Sequence, residues 1–176
     1  MKVTFAKQFN SDRRLLQIDD ARFAWRPNFS GEESQYNRKG DRNFSIVIPN
    51  QEIADALMED KNEFGVGWNV KIKAPREEGD APFMYMNVKV KFNGRGPRIR
   101  LITNGRTNFL NEDTVGMLDH IDIARIDLDI RPYDDQFSGR PFRTAYLQEI
   151  CVVQEVSRFD DRYAEEEYPG EAPFEY

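Results

Sequence analysis

The chain has 176 residues, of which 39% are hydrophobic and 32% are charged. This length supports one domain with a sizeable core and is short for two, and the high charged fraction predicts that part of the chain lies outside that core. One cysteine (Cys151) and one histidine (His120) exclude an intramolecular disulfide, a CxxC metal site and a multi-histidine metal site.

The charge is distributed unevenly along the chain. Residues 160–176 contain seven acidic residues and one basic residue, which accounts for the whole formal net charge of −6. Residues 66–106 instead carry nine basic residues against three acidic ones. The overall pI of about 5.0 therefore averages a basic segment and an acidic tail, and a polyanionic partner remains compatible with it.

Alternating or continuous apolar runs predict a mainly β fold. Turn-forming residues separate most of these runs, and the segment RLLQIDDARFAWR near the N-terminus adds a further candidate strand. A β-barrel or sandwich fits this order better than a βαβ nucleotide-binding fold. The predicted strands cover residues 43–48, 67–73, 84–92, 98–103, 125–133 and 144–156.

Two short helices and two irregular segments complete the prediction. Asn50 caps a helix that carries Ile53, Ala54, Leu57 and Met58 at helical spacing, and NEDTVGMLDHI forms a second. Residues 27–41 are rich in turn formers and predict a long surface loop. We expect one domain over residues 1–158 and a disordered acidic tail over residues 159–176.

Residue parity places many cations on one face of the central strands. Successive side chains of a strand point to opposite faces, so Met84, Met86, Val88 and Val90 oppose Tyr85, Lys89 and Lys91. If the three central strands are neighbours, their cations form one stripe. The cationic positions are Lys71, Lys73, Lys89, Lys91, Arg98 and Arg100.

Binding of a single nucleic-acid strand needs cations for the phosphates and flat side chains for the bases. Tyr85 lies on the cationic face, and the loop segment QYNRKGDRNF adds Tyr36, Arg38, Lys39 and Arg42 as candidate contacts. Trp68 and Phe92 share parity with apolar residues, which favours a core position. Tyr133 and Phe83 lie near strand ends and are compatible with either role.

Other interpretations stay open. Alternating cations are also typical of any half-exposed strand, and the basic face could instead meet an acidic protein. Asp127 and Asp129, with Glu112 and Asp113, could hold Mg²⁺ in a nuclease, although an outward-facing strand explains the aspartates equally well. The interaction protein and the nuclease are therefore the alternatives to a nucleic-acid-binding protein.

The elements RNF, GWNVK, EDTV..LD and D..IRPY, spread over residues 42–155, resemble a family of tailed-bacteriophage single-stranded DNA-binding proteins with an OB-fold. The resemblance implies a five- to six-stranded OB-fold-like barrel and non-enzymatic, largely sequence-independent coating of DNA in replication, recombination or repair. We expect no cofactor and no metal. The resemblance also places the protein in the cytoplasm of an infected bacterium, which agrees with the lack of an apolar leader or long apolar span.

The acidic tail resembles those of phage and bacterial single-strand binders. Such a tail is expected to compete with DNA for the basic face and to recruit phage or host replication proteins. Its candidate partner-binding residues are Glu171, Phe174, Glu175 and Tyr176. A homodimer is one assembly open to the chain.

Overall fold

The computed structural model describes residues 1–7, 14–94 and 96–159. The predicted tail and its four candidate partner-binding residues lie outside these ranges. The described chain is mainly β, as predicted. It forms β1 (Lys2–Lys7), β2 (Arg14–Ala21), β3 (Arg42–Ile48), α1 (Gln51–Glu59), β4 (Val70–Lys73), β5 (Phe83–Val90), β6 (Arg98–Thr103), β7 (Arg106–Leu110), a 3₁₀ helix (Val115–Asp119), β8 (Ile123–Phe137) and β9 (Arg140–Gln154).

The strands form one strongly connected sheet in the order β1-β2-β8-β9-β5-β3. Residues 22–28, which follow β2, bridge the far side of β3 through Phe23–Ile46 and Asn28–Asn43, so the sheet closes on itself. β4 pairs with β5, while β6 pairs with both β9 and β7. Nine strands are therefore described where the sequence predicted five or six, because the short exposed strands β1 and β7 carry little apolar alternation.

The core lies inside this closed sheet. Alternate residues of the central strands point inward, which explains why the period-2 pattern was readable in the sequence. No helix within the described ranges is long and apolar enough to cross a membrane. The largest fully buried side chains include Leu16, Ile18, Phe29, Ile46, Leu57, Met86, Ile99, Leu118, Ile130 and Ile150.

Helix α1 begins as the sequence predicts. Asn50 is its N-cap, and the Asn50 side chain accepts a hydrogen bond from the Ile53 backbone N–H at 2.9 Å. Gly67 then packs directly on the helix, since a Cβ at this position would lie 2.1 Å from the Met58 carbonyl oxygen. The close approach lets the Trp68 N–H donate to the Leu57 carbonyl at 3.1 Å, and the Trp68 ring is buried as expected.

Strands β8 and β9 form a hairpin of two 15-residue strands. Ser138 and Gly139 join them with φ angles of 50° and 73°, the two left-handed positions of a type I′ turn. The register of β8 with β2 reaches Ile130, and the register with β9 continues to Phe137–Arg140. The outer half of the hairpin, residues 133–144, is called the arm below.

Residues 27–41 are a loop, but a buried anchor holds it. Phe29 is fully buried, and the carboxylate of Asp119 accepts hydrogen bonds from the backbone N–H groups of Phe29 and Ser30 at 2.7 and 3.0 Å. The second predicted helix is a five-residue 3₁₀ turn, because the segment is short and contains Gly116, a poor helix former.

Candidate nucleic-acid interface

Strands β4 and β5 bring the predicted lysines to one outer face. Lys71 lies opposite Tyr85 and Lys73 opposite Phe83 in the antiparallel register. Lys89 lies four residues beyond Tyr85 on the same face of β5 and is also exposed. Lys71, Lys73 and Lys89, together with Tyr85, define the basic face. The inward neighbours on β5 are buried, in agreement with the parity argument.

Three aromatic rings cover one end of the basic face. Trp25 lies 4.9 Å from Tyr85 and 6.0 Å from Phe83, measured between ring centroids, and Phe83 stacks on Tyr85. Trp25 remains 49% exposed, so part of its ring faces solvent. This front cluster therefore offers a stacking surface directly beside Lys71 and Lys73.

A second aromatic group extends the face across β9 and β8. Tyr146 lies opposite both Lys89 on β5 and Arg131 on β8, and the Arg131 guanidinium lies 4.9 Å from the Tyr146 ring centroid. Tyr133 lies 6.2 Å from Tyr146 and 6.3 Å from Phe142 at the base of the arm. These three rings form the arm cluster.

The predicted strand at residues 98–103, which is β6 in the structure, does not lie beside β5. Strand β6 instead runs parallel to β9 further along the same edge, from Arg98–Glu149 to Ile102–Val153, so the assumption that the three strands are sequential neighbours is wrong. A turn containing a cis Gly96–Pro97 bond separates β5 from β6. Arg98 and Arg100 therefore extend the basic face lengthwise along β9, beyond Tyr146. Both guanidinium groups lie over the exposed ring of Phe109.

Between these strands lies an open groove of about 570 Å³. Its lining is basic, with Arg14, Lys91, Arg98 and Arg131 against the single carboxylate of Glu149. The groove connects the Tyr146–Arg131 row to β6. A path of cations thus runs from β4 across β5 and β9 towards β6.

The loop candidates divide into two groups. Tyr36 is 90% exposed, and Arg38 and Lys39 are exposed beside it. Arg42 is different because its guanidinium donates to the Phe29 carbonyl at 2.9 Å, pairs with Glu112 at 3.1 Å and lies 5.1 Å from the Phe92 ring centroid. Phe92 itself is half-buried against the core.

Ion pairing further separates the cations. Within the described part of the chain, Lys71, Lys73 and Lys89 form no ion pair with a carboxylate, and neither do Lys91, Arg98 and Arg131. Arg42 pairs with Glu112, and Arg100 pairs with Glu149 at 3.3 Å. Six cations on the path therefore have charges that no neighbouring acid neutralises.

Hydrogen bonding and burial shift three pKa values near the path. The Tyr133 hydroxyl donates to Asp135 at 3.0 Å, which raises the pKa of Tyr133 and keeps the ring neutral. Burial raises the pKa of Cys151, so the thiolate that would make it reactive is disfavoured. Burial also raises the pKa of Asp129, with smaller contributions from Glu149 and Asp19.

The aspartates considered for a metal site lie on β8 on the same outer face as Arg131, with Asp127 opposite Cys151 and Asp129 opposite Glu149. The Asp127 carboxylate accepts from the Asp20 backbone N–H at 2.8 Å and from Arg125 at 3.1 Å. Asp113 and Glu112 lie on a turn, where Glu112 pairs with Arg42. Across residues 1–7, 14–94 and 96–159, no group of three or more His, Cys, Asp or Glu side chains is arranged to hold a metal ion.

Sequence reasoning did not single out four residues of the path. Trp25 and Tyr146 were overlooked, although Trp25 has Arg22 and Arg26 close by in sequence and Tyr146 alternates with Ala145 and Leu147. Arg131 and Phe109 carried no local signal. Their positions follow from the β5–β9 and β6–β7 registers, which join segments far apart in the sequence.

Comparison with solved structures gives distant likenesses. The chain is similar to the C-terminally truncated single-stranded DNA-binding protein from bacteriophage Enc34, with 13% identity, a TM-score of 0.48, and coverage of 89% of this chain and 97% of that one. The same phage protein in complex with single-stranded DNA matches at 12% identity and a TM-score of 0.48, over 90% of this chain and 98% of that one.

A comparison with proteins of curated function gives no match. A family model described as "Putative phage ssDNA-binding domain" matches residues 6–172, which is nearly the whole chain. The match includes the basic face and both aromatic clusters. The chain belongs to this family of phage single-stranded DNA-binding domains.

Proposed function

We propose that this protein binds single-stranded DNA without cleaving it and largely without regard to sequence. Family membership supports the ligand class. The observation that carries the proposal is the pairing of unneutralised lysines with half-buried aromatic rings on one face, at Lys71–Tyr85 and Lys89–Tyr146. The lysines can contact phosphates, and the aromatic rings can stack on unpaired bases.

The strand would follow the path of cations. We assign phosphate contacts to Lys71, Lys73, Lys89, Lys91, Arg98 and Arg131, and base stacking to the front and arm clusters. Arg100 contributes less because Glu149 neutralises part of its charge, and Arg42 serves mainly to fix the loop. Tyr36, Arg38 and Lys39 extend the path from the loop, which is linked to β3 by the Asn43–Asn37 hydrogen bond of 2.7 Å.

The magnitudes favour a strongly salt-dependent complex. Six phosphate contacts on a single strand predict a log–log salt slope of roughly −4, or a loss of about 300-fold between about 50 and 200 mM salt. Stacking contributes about 1–3 kcal/mol per base and depends little on salt. The aromatic clusters should therefore hold the complex when salt rises.

The cellular role we propose is coating of DNA strands exposed during phage replication, recombination or repair in the cytoplasm of the infected bacterium. We assign binding to residues 1–158 and regulation to the acidic residues 159–176. In this arrangement the tail competes weakly with DNA. Glu171, Phe174, Glu175 and Tyr176 recruit a phage or host replication protein once DNA has displaced the tail.

Fluorescence titration of labelled single-stranded and duplex DNA at several salt concentrations tests the proposal. We expect tighter binding of the single strand, because only unpaired bases can stack on the aromatic clusters. Absence of binding to single-stranded DNA at about 50 mM salt would contradict the proposed function. Cleavage of the DNA in the presence of Mg²⁺ or Mn²⁺ would instead favour the nuclease alternative.

A further inference from the structure

A cavity of about 220 Å³ opens in the middle of the basic face. Its position follows from the strand registers. β4 pairs with β5 from Phe83 to Met86, and β9 meets the same edge of β5 only at Lys89. The two strands therefore diverge beside Asn87, and the space between them forms the cavity.

The wall of this cavity is held rigidly in place. Trp68 donates through its ring N–H to Asp60 at 3.0 Å, and the Arg143 guanidinium lies 4.8 Å from the Trp68 ring centroid. Arg143 is itself fixed by Asp134 at 2.8 Å, and its side chain is only 6% exposed. The charge of Arg143 is thus neutralised, and the residue forms a wall instead of a phosphate contact.

Amide groups supply the polar lining. Asn87 Oδ1 accepts a hydrogen bond from the Ser45 hydroxyl at 2.6 Å, which fixes the amide plane and leaves its NH₂ group as a donor. Asn69 adds a second exposed amide at the opposite rim. Buried Met86 and Ala145 contribute apolar surface below them. A preformed, partly apolar cavity with a few fixed polar groups is typical of a small-ligand site.

The rim of the cavity is cationic. Lys71 and Lys89 both line it and are exposed, so a phosphate backbone that crosses from β4 to β9 passes directly over the opening. The base attached to that backbone then faces the cavity. This arrangement joins a phosphate contact on each side to one enclosed base position between them.

We propose that this cavity receives one unstacked base of the bound strand. The inference rests on the proposed function and adds a base-binding subsite to it. A carbonyl oxygen or ring nitrogen on the edge of the base can accept a hydrogen bond from the NH₂ group of Asn87, whose Oδ1 is held by Ser45. The cavity of about 220 Å³ is large enough for a single base.

The test compares oligo(dT) and an abasic oligonucleotide of the same length at one salt concentration, using the wild-type protein, Asn87→Leu and Asn108→Leu. Asn108 lies on β7 and is exposed outside the cavity, so it provides the matched control. Asn87→Leu should weaken oligo(dT) binding about fivefold, the worth of about one net hydrogen bond, with binding of the abasic strand unchanged. The weaker overall binding of the abasic strand cancels in the ratio of variant to wild type.

A second variant separates the subsite from general damage. Thr144→Leu narrows the cavity while leaving the Ser45–Asn87 hydrogen bond intact, and it should also weaken oligo(dT) selectively. If both variants weaken the two oligonucleotides equally, or neither does, the subsite is overturned while the proposed function stands. If the wild-type protein binds neither oligonucleotide, the proposed function fails as well.

Discussion

At the scale of single residues, ion pairing decides which cations are available to DNA. Arg42 and Lys89 lie one register step apart on paired strands. Arg42 is committed to Glu112 and the Phe29 carbonyl, whereas Lys89 points outward beside Tyr146. Equal formal charges in the sequence thus correspond to unequal roles.

Removal of one available lysine should lower the salt dependence of DNA binding. We expect Lys71→Ala or Lys89→Ala to make the log–log salt slope less negative by about 0.7, the contribution of one phosphate contact on a single strand. Lys2→Ala, on the far edge strand β1, is the control and should leave the slope unchanged. Titrations over a salt series measure this, and an unchanged slope in both variants would argue against the assigned path.

Asp129 makes the stability of the fold depend on pH. Its pKa is raised by burial and by the carboxylates of Glu149 and Asp19, so the folded state binds the proton more tightly than the unfolded state does. Its contribution to stability is therefore greatest at low pH and is lost as the pH rises through the raised pKa. At neutral pH the charged carboxylate is unfavourable.

Asp129→Asn should accordingly stabilise the protein at neutral pH. The gain should shrink as the pH falls below the ordinary range of an aspartate, since the wild-type residue is then neutral as well. Urea unfolding at neutral and acidic pH measures the difference. A gain of equal size at both pH values would show that the charge on Asp129 is not its cause.

At the scale of elements, one residue, Asp60, connects α1, β2, the segment before β4 and the arm. Asp60 follows α1 and accepts from Arg14 at 2.9 Å and from the Trp68 ring at 3.0 Å, and its backbone carbonyl accepts from Arg143 at 2.5 Å. These contacts hold the Trp68 wall and the base of the arm against the sheet.

Asp60→Asn should destabilise the fold because it removes a largely buried charge from two arginines. We expect a loss of about 3 kcal/mol in the free energy of unfolding, measured by urea titration. Glu112→Gln is the control, since the Glu112 side chain is 62% exposed and such a pair contributes less than about 1 kcal/mol. Equal effects of the two changes would contradict the special role of Asp60.

At the scale of the whole molecule, the charges are divided between two regions. Residues 160–176 carry the net charge of −6, while residues 1–159 are neutral overall and present their cations along one path. For the disordered tail that the sequence predicts, 17 residues correspond to a root-mean-square reach of roughly 20–25 Å. We propose that the acidic tail meets the basic face of its own domain.

Truncation after Phe159 should therefore tighten binding to single-stranded DNA, most strongly at low salt where the tail competes best. Titration of both proteins over a salt series measures the effect. A full-length variant with Phe174 and Tyr176 changed to Ala keeps the charge and serves as the control, because it should lose partner recruitment only. Equal affinities of the truncated and full-length proteins at low salt would contradict competition by the tail.

The sequence by itself determined the mainly β class, the central strands, the Asn50 cap and the outward lysines of β4 and β5. Each of these depends on local alternation or capping, which is written in neighbouring residues. Even there, β8 and β9 extend further than predicted, because Ser138–Gly139 forms a tight turn that local pattern reading took for a longer gap.

The tertiary structure alone decided which cations are neutralised, how β6 is placed and which aromatic rings meet the lysines. Trp25 reaches Tyr85, and Tyr146 reaches Lys89, through strand pairings between distant segments. The cavity beside Asn87 likewise exists only because β4 and β9 share one edge of β5. Alternation fixes the face on which a side chain lies, but its neighbours on that face depend on the register, which non-local packing sets.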